Sequence, residues 1–352
     1  MSKNSPKDPV EPWGTGLIPS VVSGIFGAAV AIRGFAYDHA GWLSKPAGRP
    51  TVSIGGLSAG GTGKTPMALL VGRHLSQKGR EVVFLSRGYG RKAKGTVISA
   101  PRAADSWEAV GDEPAMLHAA LPESWLGIDS NRFRAASAML PRLTQKAVFV
   151  LDDAFQHRRL QRDFDIVCLP PDPFRDALMP AGTLREPLKN LSRARCICLI
   201  GAEEETDVLN ASRQKIKQKF QNTAIFILYQ TPVGWVNAAT GDFLAQVPLK
   251  RPVAVCAIAR PRRFLLLLKK LSISTFAESI FRDHHEFKAS DIARAAAIPG
   301  ADGIVTTEKD AFRLKSLKLV SIPDIWYLKM ELRFTGAGEE ERFFHHMDET
   351  LH

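Results

Sequence analysis

The sequence predicts an α/β fold: a parallel sheet domain covered by helices on both faces, a short two-stranded β connector, and a second, smaller α/β domain, all preceded by an apolar helix. Three observations predict it. From Thr51 onward, short continuous apolar runs, too brief for amphipathic helices, recur with helical stretches between them. Around 222–246 the texture shifts to strand-forming residues broken by Gly and Asn. Beyond that, apolar runs and helical stretches alternate again on a smaller scale.

Taken in order, the N-terminus comes first. No charged residue occurs from Pro12 to Ile32, and 17–32 (LIPSVVSGIFGAAVAI) is largely apolar. The run is short beside the roughly 20 apolar residues that cross a bilayer, and it contains Pro19 with several Gly and Ser. Three readings compete: an interfacial anchor or marginal span, a buried core helix, or the apolar region of a signal peptide behind Lys3 and Lys7. Arg33, Lys45 and Arg49 follow the run and place positive charge on the side that stays cytoplasmic, which favours the anchor.

Next come the strands of the first domain, 51–54, 81–85, 147–151, 165–169 and 196–200, each rich in Val, Ile, Leu or Phe. A helix over 64–78 presents Met67, Leu70, Val71 and Leu75 on one face and ends before Gly79. The segments AIFILYQ and TPVGWVNAATGDFLAQ read as antiparallel strands of a connector. In the second domain 253–257, 274–276 and 303–306 read as strands, and the tail 343–352 as a helix. The expected division is therefore 1–50 (membrane-associating segment and lead-in), 51–222, 223–250 (connector) and 251–352.

Composition bounds the function classes. The 352 residues are 45% hydrophobic and 24% charged, which suits folded domains with a substantial core. Forty-seven Lys and Arg against 36 Asp and Glu leave a net charge of +11, which attracts nucleotides, anionic headgroups or nucleic acid. No run of alternating basic and aromatic residues tracks a nucleic-acid strand, so nucleic acid is not expected as a partner. Of the four cysteines, Cys168, Cys196 and Cys198 lie in apolar runs, and no pair with Cys256 has zinc or redox spacing.

The first strand runs into Gly55-Gly56-Leu57-Ser58-Ala59-Gly60-Gly61-Thr62-Gly63-Lys64-Thr65-Pro66. This is the logic of a P-loop. Glycines let successive N–H groups turn inward around phosphate oxygens, and the following helix offers its N-terminus to the negative charge. Lys64 reaches the β- and γ-phosphates and the Thr65 hydroxyl ligates Mg²⁺, with Ser58 through Gly63 forming the cradle. Ser58 stands where the consensus has its first Gly; Gly60 and Gly61 supply the missing backbone freedom. A strand, Gly-Lys-Thr and a helix in this order make a specific signal for an ATP-dependent P-loop domain.

Carboxylates complete the pattern. The strand 147–151 ends in Asp152-Asp153, the form of a Walker B strand; Asp152 is the Mg²⁺-side group by position, and Asp153 ligates through water or orients a substrate. Gly111-Asp112-Glu113-Pro114 opens a helix, and Asp112 is read evenly as an N-cap or as the base for an attacking hydroxyl. Asp283-His284-His285-Glu286 reads either as a surface turn or as an Asp–His pair acting on the acceptor hydroxyl. Arg87, in RGYGR, and Arg185-Glu186, in LREP, would lie near strand C-termini, where such folds gather ligands; solvated surface arginines are the plain alternative.

In their order, GGTGKTP, SRGYGR, GDEP, DDAFQHRRL, PAGTLREP, DHHEF and TEKDA closely resemble the tetraacyldisaccharide 4'-kinase family, from the apolar N-terminal segment to about Asp310. The resemblance implies ATP and Mg²⁺, a tetraacylated glucosamine disaccharide 1-phosphate as acceptor, phosphorylation of its 4'-hydroxyl to lipid IVA in lipid A biosynthesis, and a membrane lipid surface at the cytoplasmic face of a Gram-negative-type inner membrane. It also implies two α/β/α lobes joined by a two-stranded β linker. Lys64 and Thr65 match phosphate and Mg²⁺ ligands, and Asp152 and Asp153 match the acidic pair. Asp112 and His284 match a catalytic dyad supported by Asp283. Arg185 and Glu186 match a motif lining the same cleft, and Arg87 and Glu113 are further substrate-contact candidates. Three residues depart from the family pattern: Ala154 for Gly, Thr183 for Pro and Arg282 for Pro. The rival readings are a P-loop NTPase switch or metallochaperone without a lipid acceptor, and a nucleic-acid-binding ATPase.

Overall fold

Continuous runs of β-branched and apolar residues make strands buried on both faces, and a sheet of such strands needs helices above and below. The computed structural model has this arrangement and describes residues 16–283, 285–315, 317 and 324–351. The chain forms two compact units. Among the described residues the larger takes 16–231 and 332–351, and the smaller takes 232–331.

In the larger unit the strands are β1 (Thr51–Gly55), β2 (Glu81–Ser86), β3 (Val97–Ser99), β4 (Trp125–Ile128), β5 (Ala147–Leu151), β6 (Phe164–Leu169), β7 (Cys196–Gly201) and the first part of β8 (Ala224–Asn237). Their order is β8-β7-β6-β1-β5-β2-β4-β3, parallel except for β3 against β4. Strand β1 is central and flanked by β5 and β6, so the ends of β1 and β5 lie side by side. The helices are α1 (Leu17–His39), α2 (Lys64–Gln77), α3 (Trp107–Val110), α4 (Asp112–Ala120), α5 (Arg132–Met139) and α6 (Thr206–Lys219).

Helix α2 buries Met67, Val71 and Leu75, spaced at four residues, each stabilising by roughly 1.5–3 kcal/mol. Gly72 lets it approach closely, since a Cβ there would stand 2.7 Å from the Phe84 ring. One buried cluster gathers Leu57, Phe155, Val167, Leu199, Leu209 and Ile216; another gathers Val83, Leu85, Ala135, Met139 and Phe149.

In the smaller unit β9 (Phe243–Leu244) pairs antiparallel with Trp235 and Val236 of β8. Strands β10 (Pro252–Cys256), β11 (Ala277–Ile280), β12 (Gly303–Thr307) and β13 (Ile325–Phe334) form a parallel sheet ordered β11-β10-β12-β13. Helices α7 (Pro261–Lys270), α8 (Ala289–Ala296) and α9 (Glu308–Leu314) connect them. The last helix, α10 (Glu339–Asp348), buries Phe343, Phe344 and Met347 in the larger unit. His74 of α2 stacks on Phe344 at 3.8 Å and bonds Asp348 at 3.0 Å.

The α/β class, the parallel sheet behind the glycine-rich loop and the N-terminal apolar helix are as the sequence predicts. Three details differ. AIFILYQ is not an antiparallel connector strand: 224–229 pair parallel with β7, and the antiparallel ladder is confined to 235–236 against 243–244. The expected strand 274–276 lies instead at Ala277–Ile280, an edge strand whose partial burial leaves no apolar run to read. The tail belongs with the larger unit, not with 251–331, because its aromatic face packs against Phe226 of β8.

Candidate active site

The end of β1 sets the site. All five residues of β1 are buried, and a Cβ on Gly55 would stand 2.5 Å from Phe155, so the chain leaves the sheet at a point only Gly fits. Gly63, at φ +77°, turns the loop into α2 as its N-cap. Lys64 then bends back, its Nζ 3.4 Å from the Gly60 carbonyl and 3.6 Å from Asp153 Oδ1. The Thr65 hydroxyl donates to Asp152 Oδ2 at 3.4 Å. The loop and the acidic pair are thus brought together as the sequence predicts.

The two carboxylates differ. Asp152 is 2% exposed, and its Oδ1 has no hydrogen-bond partner among the described residues. Burial, then Glu113 and Asp153, push its pKa up to about 7, against the pull of Lys64 and Arg132. Burial also opposes ionisation of Asp153, but Lys64 and Arg185 overcome it and hold that carboxyl below its usual range. Asp153 takes φ +48°, a left-handed conformation that Asp tolerates better than most residues. The turn therefore places its positive φ at Asp153, and Ala154 in place of the family's Gly is accommodated, fully buried and donating to the Ile54 carbonyl at 3.0 Å.

An orphaned carboxylate oxygen beside a hydroxyl is a hard-oxygen donor set that suits Mg²⁺, which takes one or two carboxylates and completes its shell with water and phosphate oxygens. Among the described residues no cluster of three or more His, Cys, Asp or Glu is arranged to hold a metal by itself.

Arginines close the other side. Arg185 Nη1 donates to both Asp153 oxygens, at 3.0 and 2.8 Å. Arg132, the first residue of α5 and 2% exposed, donates from Nη2 to the Asp152 and Asp153 carbonyls, both at 3.2 Å. Burial and then Arg87 lower its pKa to about 10, which places Arg87 in the same field. His157 is pushed down to about 3 by burial, Arg132, Arg162, Arg87 and Arg33, so it is neutral near pH 7. Its Nε2 is buried with no partner among the described residues. Gln156 ties this side to the loop, donating from Nε2 to the Gly56 carbonyl at 3.0 Å.

Gly111 occupies the N-cap of α4, so Asp112 is the first helical residue and not its cap. Asp112 is 5% exposed, and its Oδ1 accepts the Glu113 N–H at 2.8 Å. Glu113 reaches the acidic pair electrostatically, as its effect on Asp152 records. Glu186 is buried, and its Oε2 accepts Asn190 Nδ2 and Arg193 Nη2, each at 2.6 Å. These two bonds hold the LREP turn.

In the smaller unit Asp283 follows β11, while His284 lies outside the described residues. His285 is clamped: Nε2 meets Asp291 Oδ2 at 3.0 Å, and the ring stacks on Phe281 with centroids 4.6 Å apart. Sequence reasoning missed Arg132, His157 and Gln156. The last two sit inside the DDAFQHRRL motif, which was the available signal; Arg132 stands four residues past the C-terminal end of β4, a position that α/β folds use for ligands.

A phosphate loop closed by Lys64, Thr65 and two Walker-type carboxylates defines a P-loop phosphotransferase. The family model for tetraacyldisaccharide-1-P 4'-kinase (LpxK) matches residues 17–352, and the chain belongs to that family. Relatives named tetraacyldisaccharide 4'-kinase include one from Anaeromyxobacter dehalogenans, 37% identical over 306 residues, covering 82% of this chain and 79% of the relative. Another, from Koribacter versatilis, is 34% identical over 328 residues, covering 90% and 94%. Among solved structures, the "apo" form of LpxK from Aquifex aeolicus in complex with ATP superposes with a TM-score of 0.74 at 27% identity, covering 95% of this chain and 98% of that one.

Proposed function

We propose that the chain transfers the γ-phosphoryl group of ATP to the 4'-hydroxyl of a tetraacylated glucosamine disaccharide 1-phosphate, giving lipid IVA in lipid A biosynthesis. The observation that carries this reading is the closure of Lys64 and Thr65 onto Asp153 and Asp152, with one buried carboxylate oxygen left for a cation. The solved relative bound to ATP supports the choice of nucleotide. Lys64 binds the phosphates, and Arg185 with Asp153 holds Lys64 in line. Thr65 and Asp152 would hold Mg²⁺, which when bound neutralises charge on the β- and γ-phosphates. Asp112 takes the proton of the acceptor hydroxyl, and a catalytic role for His284 with Asp283 rests on their family motif alone. The cationic group of Arg87, Arg132 and Arg185 suits a phosphorylated acceptor.

A lipid acceptor calls for a membrane surface, and α1 favours one. Its exposed face carries Leu17, Ile18, Val21, Ile25, Ile32 and Phe35, with Trp42 beyond its end, so the buried-core-helix reading fails. The opposite face is bonded to the protein: Ser23 to the Leu178 carbonyl, Arg33 to that of Gln156, and Gly34 and Asp38 to Arg158. Residues 23–38 rise about 22 Å at 1.5 Å per residue. A helix fastened sideways over that length lies in the interface and does not cross the bilayer. ATP supply and the positive residues Arg33, Lys45 and Arg49 favour the cytoplasmic face of the inner membrane.

The test is product analysis. Detergent-solubilised protein is incubated with ATP, Mg²⁺ and tetraacyldisaccharide 1-phosphate, and the lipid is examined by mass spectrometry and ³¹P NMR. One added phosphate on the 4'-oxygen is expected. Unchanged lipid with accumulating ADP would refute the transfer.

A further inference from the structure

Between β6 and β7, the segment 176–184 touches the phosphate loop at one end and α1 at the other, and the transfer chemistry makes no use of it. Asp176 is its centre. Oδ1 accepts the N–H groups of Ala177 and Thr183, at 2.8 and 2.7 Å. Oδ2 accepts the hydroxyls of Thr183 and Ser58, at 2.5 and 3.2 Å. One carboxylate gathers four donors, and the last belongs to the phosphate loop.

The backbone repeats the connection. Ala59 donates its N–H to the Thr183 carbonyl at 2.8 Å, Arg185 donates to the Leu57 carbonyl at 2.7 Å, and Ser58 pairs antiparallel with Leu184. A Cβ on Gly182 would collide with the Ala177 backbone and with Asp176 Oδ1, so the turn closes only around glycine. The first half of the loop is therefore held on this brace through the single bridge at Ser58 and the flanking backbone bonds. Ser58, where the P-loop consensus has glycine, is 2% exposed and needs such a partner, because its hydroxyl has left water. Thr183 supplies two of the four bonds, one from its N–H and one from its hydroxyl. At the far end Ser23 Oγ donates to the Leu178 carbonyl at 2.8 Å and accepts the Ala181 N–H at 3.1 Å.

We propose that Asp176 is a positioning residue for nucleotide binding: it sets the entrance of the phosphate loop through Ser58 and Thr183, and through Ser23 the same brace makes nucleotide affinity depend on the seating of α1. The inference rests on reading the loop as the ATP phosphate site. Its physical content is preorganisation, since a loop already ordered loses less entropy when phosphate binds.

The experiment measures Kd for ATP with Mg²⁺, KM for the lipid acceptor, and Tm, on the full chain in detergent. The variants are Asp176→Ala, Asp176→Asn, Ser58→Ala, the double Asp176→Ala/Ser58→Ala, and Ser23→Ala. Asp176→Ala is expected to weaken ATP about five- to tenfold, as one or two lost hydrogen bonds would, with the acceptor KM unchanged. Asp176→Asn restores most of the affinity, because its amide still serves Thr183 N–H and can donate to both hydroxyls. Ser58→Ala weakens ATP severalfold, and the double variant is no worse than Asp176→Ala alone. Ser23→Ala shifts ATP affinity in the same direction by a smaller factor.

Wild-type ATP affinity in Asp176→Ala, or ATP and acceptor constants rising together with a fall in Tm, would overturn the positioning role. An unchanged Ser23→Ala would overturn the link to α1. A wild-type protein that binds no ATP would instead refute the reading of the loop itself.

Discussion

At the residue scale, Asp152 is held in the fold against its own ionisation. Its folded pKa of about 7 lies above the ordinary carboxylate value. Its contribution to stability is complete below about pH 4 and is lost as pH rises through about 7, because the folded state holds the proton that the unfolded state has released. Asn cannot ionise, so in EDTA the Tm of Asp152→Asn should fall less than that of wild type between pH 5 and pH 8, while phosphoryl transfer is abolished. Parallel Tm profiles would show that Asp152 does not carry the strain. Lys64, Thr65, Asp152 and Asp153 were legible in the sequence because a P-loop and a Walker strand fix them by local spacing. Arg132 was not, since its burial depends on the start of α5 reaching past β2 to the backbone that follows β5. Glu186 was legible as part of a motif, but its bonds to Arg193 and Asn190 were not, since only the fold brings those side chains to it.

At the scale of elements, α1 carries the clearest prediction. Replacing Ile25 and Ile32, both on the exposed stripe, with Ser should lower vesicle partition at least about tenfold, at roughly 1.5–3 kcal/mol per buried side chain. Flotation with phosphatidylglycerol vesicles checks it, and unchanged flotation would remove the stripe from the membrane contact. The loop after β11 carries a second. Asp291 accepts from His285, the Lys288 N–H and Arg294, which hold its pKa at about 2 against burial. That contribution is present above about pH 4 and is lost as pH falls through 2. Asp291→Asn should free the His285 ring and, if the DHH motif serves the transfer as proposed, lower kcat about tenfold, roughly one hydrogen bond to a charged group, while Kd for ATP stays at the wild-type value. A changed Kd with unchanged kcat would contradict this. The parallel strands were legible because burial on both faces leaves unbroken apolar runs. Strand β11 and the split use of β8 were not, since edge burial and a change of partner partway along a strand leave no mark in composition.

At the scale of the whole molecule, a +11 chain with an apolar stripe on α1 and a closed phosphate loop combines the properties that an ATP-dependent enzyme acting on an anionic lipid needs. The charge alone fits several partners, and the motif order together with the family match selects the tetraacyldisaccharide 4'-kinase family among the P-loop proteins. The most direct measurement follows label from [γ-³²P]ATP, with Mg²⁺ and tetraacyldisaccharide 1-phosphate, in wild type, Lys64→Ala and Asp112→Ala. The account predicts label in the lipid for wild type, with a loss of about 10²–10³-fold or more when Lys64 or Asp112 is removed. Label appearing only as free phosphate, from folded protein, would contradict it.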